Sequence, residues 1–138
     1  MIKAVLFDYG LVLFGLALPD YRVKNLAKEL RARSIRTAIL TNMFPAAAWL
    51  IDIFGGFRGF EPRIFAFKEK VAKPDPRIYK IAAERIGVEP GQIIFVDNLE
   101  VNVKAAKGIG MKIVLAKNSK QVVNDIKQIL LKENGLKL

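Results

Sequence analysis

Four polar residues, far apart in the chain, are of the right types to work together: Asp8, Thr41, Lys73 and Asp97. Alone, an aspartate after an apolar run is a turn former or a helix cap. Together, Asp8 and Asp97 make a hard anionic oxygen pocket. Mg²⁺ uses such a pocket when it binds through one or two carboxylates plus phosphate and water. Lys73 adds a point charge for a phosphate, and the Thr41 hydroxyl with nearby backbone N–H groups adds donors for its oxygens. The chain has no cysteine and no histidine, which excludes disulfides and any imidazole for zinc binding or proton shuttling. Chemistry here must use carboxylates, hydroxyls, amides and lysines.

The elements that position these residues can be read from the apolar pattern. Ile2 to Phe7 is a short apolar run suited to a buried parallel strand and ends at Asp8. Asp20 caps a helix in which Val23, Leu26, Ala27 and Leu30 face inward while Lys24, Lys28, Arg31 and Arg33 face away. Thr37 to Leu40 predicts a second strand leading into Thr41-Asn42, and Ala46 to Phe54 a helix closed by Gly55-Gly56. Arg63 to Phe67 is a weaker strand, followed by a helix from Pro76 to Ile86 with Gly87 just past its end. Ile93 to Val96 is the fourth strand, leading into Asp97. A helix from Leu99 to Ile109 and a fifth strand from Lys112 to Leu115 follow. Ser119 is expected to cap a last helix with Val122, Val123, Ile126 and Leu130 inward.

This alternation implies an α/β fold: a doubly wound, three-layer, parallel five-stranded sheet of Rossmann-like type, read as a single domain over residues 1–138. In such sheets ligands bind beyond the carboxyl ends of the strands, near the topological switch point. Asp8, Thr41 and Asp97 stand at strand ends and would converge there.

Lys plus Arg number 23 against 13 Asp plus Glu, a formal +10. The field attracts anions, which suits a phosphorylated ligand. The same lysines, spread along the chain, also read as a solvating surface for an apolar-rich domain. No apolar stretch approaches the roughly 20 residues that span a bilayer, and Met1-Ile2-Lys3 opens no signal peptide, so a cytoplasmic protein without a membrane partner is expected.

The strings FDYGLVL from Phe7, ILTN from Ile39, AKPDPRIY from Ala72 and IIFVDN from Ile93 resemble, in order and spacing, motifs one to four of haloacid-dehalogenase-like hydrolases. The resemblance covers nearly the whole chain. It implies a Mg²⁺-dependent phosphatase with Asp8 as the nucleophile that forms an aspartyl-phosphate. Thr41 and Lys73, with Asn42, would bind the phosphoryl group. The metal would be held by the Asp8 carboxylate, the Gly10 backbone carbonyl and Asp97, with Asn98 behind them. Relatives that displace halide share the nucleophile, the hydroxyl and the lysine but need no metal, so Asp97 favours phosphoryl chemistry.

Three positions depart from the family pattern. Gly10 stands where phosphatases usually carry a general acid and base, Leu11 where a glycine usually turns around phosphate, and Asn98 where a second acid is common. The first loss removes proton transfer worth about 10² to 10⁴ in rate, so weak turnover is expected. These departures also support a rival reading, a catalytically silent module of the same fold that binds a partner or a phosphate ligand. Charge alone supports another, a nucleic-acid-associated protein.

Only short segments separate Asp8 from Thr41 and Thr41 from Lys73, so no cap domain is expected. The partner expected is a small phosphorylated substrate or a phosphorylated macromolecule. Phe14, Phe54, Phe57, Phe60, Phe65 and Phe67 read either as packing under the sheet edge or as a homodimer contact, and Trp49 as core.

Overall fold

A computed structural model of the chain describes residues 1–9, 14–15 and 18–138. The elements follow the expected alternation: β1 (Ala4–Phe7), β2 (Phe14–Gly15), β3 (Leu18–Pro19), α1 (Tyr21–Ala32), β4 (Arg36–Thr41), α2 (Pro45–Ile53) and β5 (Arg63–Phe65). Then come α3 (Ala66–Glu69), α4 (Pro76–Ile86), a 3₁₀ turn at Pro90–Gln92, β6 (Ile93–Asp97), α5 (Glu100–Gly108), β7 (Lys112–Leu115) and α6 (Ser119–Asn134). Five strands form one parallel sheet in the order β5-β4-β1-β6-β7. The chain builds outward from β1 on one side, through β4 and β5, then returns to build β6 and β7 on the other. The switch point therefore lies between β1 and β6.

Strand residues alternate between two apolar layers, as a period of two requires. Val5, Phe7, Ile39, Ile94 and Val96 pack with α1 and α6 on one face. Leu6, Ala38, Leu40, Ile93 and Phe95 pack with α4 and α5 on the other. β1, β4 and β6 are buried along almost their whole length, which is why they read as continuous apolar runs. The helix ends are chemically specified. The Asp20 and Asp75 side chains accept the backbone N–H of Arg22 and Arg77 at the starts of α1 and α4, and Gly87 ends α4 at φ 81°.

Several expectations are corrected. The third strand stops at Phe65, where the chain turns into α3 instead of running to Phe67. Asn118, not Ser119, caps α6, in a capping box with Gln121. Val123 is only partly buried. Arg31, expected on the outer face of α1, is partly buried and donates to Thr37 Oγ1 at 2.8 Å. The two-residue antiparallel pair β2–β3 was not anticipated.

Most of the aromatic segment is core: Phe57 and Phe60 are buried, packing edge-on against Tyr9 and Phe7, while Phe54 is exposed. Gly56 is required here, because a Cβ at that position would stand 2.5 Å from the Tyr9 hydroxyl, which donates to the Gly56 carbonyl. Trp49, expected in the core, is 66% exposed. Among the described residues, the stretches before β4 and between β4 and α4 hold only short elements and no cap domain. No described helix is long and apolar enough to cross a membrane.

Candidate active site

Three strands deliver the site. Asp8 follows β1 directly, its N–H bonded to the Val96 carbonyl of β6 at 2.8 Å. Thr41 and Asp97 are the last residues of β4 and β6. Lys73 comes from the loop between α3 and α4 and is held by a reciprocal pair of bonds. The Asn42 amide donates to the Lys73 carbonyl, and the Lys73 N–H donates to Asn42 Oδ1, both at 3.0 Å. Asn42, expected to bind phosphate, thus has its carboxamide engaged in fixing the lysine.

The Lys73 ammonium is the hub. It donates to Asp8 Oδ1 and Asp97 Oδ2, each at 2.7 Å, and to the Leu40 carbonyl at 3.1 Å. An ammonium has three donors, and all three are engaged. Its side chain is 2% exposed, and those of Asp97 and Asp8 are 1% and 14% exposed. Buried charges at these distances interact strongly because little water screens them. Lys73 in this state neutralises carboxylates, where a phosphate partner had been expected.

Asp97 is fully enclosed. Oδ1 accepts the Leu99 N–H at 2.9 Å, and Oδ2 accepts the Asn102 amide at 3.0 Å besides Lys73. The carboxamide that braces Asp97 is therefore that of Asn102, in the first turn of α5, while Asn98 adjoins it only along the chain. Asn102 is fixed in turn through its carbonyl, which accepts the Tyr79 hydroxyl at 2.9 Å. Burial and the Asp97 and Asp8 charges push that hydroxyl's pKa well above the phenolic range. Sequence reasoning passed over Asn102 and Tyr79. The signal available was an amide beside Val103 on the inward face of α5, where an unpaired polar group is costly.

The Thr41 hydroxyl lies beside this cluster. It donates to the Tyr9 carbonyl at 3.2 Å and accepts the Met43 N–H at 3.2 Å. To donate to a phosphate oxygen it must release the Tyr9 carbonyl. Gly10 and Leu11 lie outside the described residues.

Burial raises the Asp8 pKa above its ordinary 3.8; Lys73 opposes this, and the Asp97 charge adds to it. Two carboxylates and one ammonium sum to −1 at neutral pH, which repels a phosphate. A divalent cation would reverse the sign. The donor set fits one: both carboxylates are hard oxygen ligands, and Mg²⁺ commonly takes one or two, completing its shell with water and phosphate. Among the described residues no group of three acidic, His or Cys side chains forms a closed metal cage.

The sequence matches the haloacid dehalogenase-like hydrolase family over residues 2–110. Among curated proteins, it is 29% identical over 133 residues to phosphatase MT3486 of Mycobacterium tuberculosis, covering 92% of this chain and 59% of that protein. It is 29% identical over 93 residues to (S)-2-haloacid dehalogenase of Pseudomonas sp. strain YL, covering 67% and 40%. The chain spans from 10% to 59% of the length of such relatives.

Among solved structures, an uncharacterized protein from Corynebacterium glutamicum superposes with a TM-score of 0.82 at 22% identity, covering 100% of this chain and 98% of that one. A haloacid-dehalogenase-family enzyme of Bacteroides thetaiotaomicron, solved with magnesium and inorganic phosphate, gives 0.69 at 19% identity, covering 85% and 95%.

Proposed function

Because this chain belongs to the haloacid dehalogenase-like hydrolase family, we propose that it is a Mg²⁺-dependent phosphohydrolase whose nucleophile is Asp8. The observation that carries the reading is the Lys73 ammonium, 2.7 Å from both Asp8 and Asp97 at the switch point of the sheet. That arrangement leaves a carboxylate at the mouth, braced by a cation and a second carboxylate. The phosphatase relative from M. tuberculosis and the Bacteroides enzyme solved with magnesium and phosphate support the same chemistry.

An Asp8 oxygen would attack phosphorus, forming an aspartyl-phosphate as the bond to the leaving oxygen breaks. Water attacking the same phosphorus would release phosphate and restore the carboxylate. Lys73 would shift one donated bond from Asp8 toward the phosphoryl oxygens as Asp8 loses its charge, keeping its bond to Asp97. Thr41 and backbone N–H groups would orient those oxygens. Held by Asp8, Asp97 and the Gly10 carbonyl, Mg²⁺ would supply the positive charge that lets two anions meet.

With Gly10 in place of a general acid, the leaving oxygen must take its proton from solvent. Aryl and acyl phosphates should therefore be cleaved much faster than alkyl phosphates. Gly10→Asp, once shown to fold, should raise the alkyl rate preferentially, by up to about 10² to 10⁴. Equal parent rates on both classes would show that another group already supplies the proton.

The test is hydrolysis of a generic aryl phosphate with Mg²⁺ or with a chelator. Turnover should require Mg²⁺ and vanish in Asp8→Asn. A halide-displacing reading has one observation in its favour: Lys73 balances Asp97 without a metal. A 2-haloacid is therefore run beside the phosphate, and halide release that persists in chelator, without phosphatase activity, would replace the phosphatase reading.

A further inference from the structure

Helix α2 departs from the usual surface helix. Its sequence, PAAAWLIDI, carries one charge, and its only fully buried residue is Ala48. Ala48 and Ile51 face the body of the protein. The opposite side is also apolar: Ala46, Trp49, Leu50 and Ile53 are all exposed and recur at i, i+3, i+4 and i+7. That is the spacing of a helix–helix seam. Phe44 just before the helix and Phe54 just after it extend the stripe at both ends and are exposed as well.

We propose that this face is the contact of a two-fold symmetric homodimer in which α2 packs antiparallel on the α2 of a second copy. The seam is self-complementary in that direction. An axis passing between Trp49 and Leu50 sets Ala46 opposite the partner's Ile53, and Trp49 opposite the partner's Leu50, the bulkier side chain against the less bulky in each case. Phe44 then falls beside the partner's Phe54. An isologous contact needs one patch that complements itself, and this register sets Ile53 on a small side chain, Trp49 on Leu50 and ring on ring at each end.

The area is sufficient. The exposures are 67% at Phe44, 66% at Trp49, 51% at Leu50, 55% at Ile53 and 81% at Phe54. With aromatic side chains of about 150–250 Å² each, the face amounts to roughly 600 Å² per copy. That is at the top of what monomers leave exposed, and two such faces reach the roughly 1,200 Å² at which specific interfaces begin. The stripe itself carries no charge, so desolvating it costs little. The formal +10 of each chain opposes association at long range, and salt screens that repulsion. Dimerisation should therefore strengthen as salt rises, the opposite of binding held by an acidic partner. The inference is independent of the reaction proposed for the site.

Trp49 is the only tryptophan in the chain, so its emission reports the contact directly. In sedimentation equilibrium the mass should rise from 15.4 kDa toward twice that value, between about 1 and 100 µM, the range of weak specific interfaces. Trp49 emission should move to the blue over the same range. Ala46→Glu and Ile53→Lys should each stay monomeric. Their equimolar mixture should dimerise, because the carboxylate introduced in one copy then meets the ammonium introduced in the other. A parent protein that stays at monomer mass with solvent-exposed Trp49 emission throughout would overturn the proposal. So would a mixture that stays monomeric while the parent dimerises.

Discussion

The active-site end of the sheet and the outer face of α2 stand three residues apart in the chain, at Thr41 and Phe44, and they solve opposite problems. At the sheet end, two buried charged side chains and a third that is partly buried are hydrogen-bonded within one chain, down to the Leu99 N–H and the Asn102 amide on Asp97. Among the described residues no buried side-chain nitrogen or oxygen lacks a partner. On α2 and at its two ends, five large apolar side chains lie in solvent. The difference follows from the costs. A buried polar atom without a partner costs about 1–3 kcal/mol, and a buried charge more, so such groups are satisfied within the fold. Exposed apolar surface leaves no hydrogen bond unmade; it forgoes a burial gain of about 25 cal/mol per Å², which a second molecule can still supply.

The contrast breaks if stability does not follow it. Lys73→Met leaves Asp8 and Asp97 facing each other without a cation and should cost about 3–5 kcal/mol at neutral pH, as loss of one buried partner does. The pH dependence has a definite sign. Asp8 already has a raised pKa in the fold, and removing Lys73 raises it further. The folded state then binds a proton that the unfolded state has released. The deficit should therefore shrink as pH falls through the raised folded value, as urea melts across that range would show. A deficit that is flat with pH would mean that Lys73 matters for packing rather than charge.

Asp8→Asn in the parent should raise the melting temperature at neutral pH, since it removes an ionised group that burial disfavours, while turnover is lost. A lower melting temperature would show that the bond to Lys73 outweighs that penalty.

Asn102→Ala removes a hydrogen bond to an ionised carboxylate and should cost about 1.5–3 kcal/mol. If Asn102 positions Asp97, the variant should also bind Mg²⁺ more weakly in calorimetry, with Asn102→Gln, which keeps a carboxamide donor, restoring part of the affinity. An unchanged Mg²⁺ affinity would leave Asn102 a purely structural bond.

At the other extreme, Leu50→Lys on α2 should change monomer stability by no more than about 0.5 kcal/mol, measured in dilute protein. A larger loss would place Leu50 in the fold itself and remove the contrast.

The same two regions show what a sequence reveals. β1, β4 and β6 were legible because strands buried on both faces are apolar runs, and Asp8, Thr41 and Asp97 were legible as polar residues closing those runs. The bridging by Lys73 was not, because its three acceptors come from Asp8, Leu40 and Asp97, which only the assembled sheet brings together. Asn102 was missed because helical period marks a face, and one amide on an apolar face names no partner. Trp49 was read as core for a related reason. Period shows which side chains share a face, and α2 has two apolar faces, of which the fold covers one.

The central claim is that Asp8 carries the phosphoryl group, and acid-quenched reaction with an aryl phosphate, followed by mass spectrometry of the peptides, tests it most directly. With Mg²⁺, the phosphoryl mass should appear on the peptide holding Asp8 and disappear in chelator and in Asp8→Asn. Steady Mg²⁺-dependent turnover with the label on another residue, or activity surviving in Asp8→Asn, would contradict it.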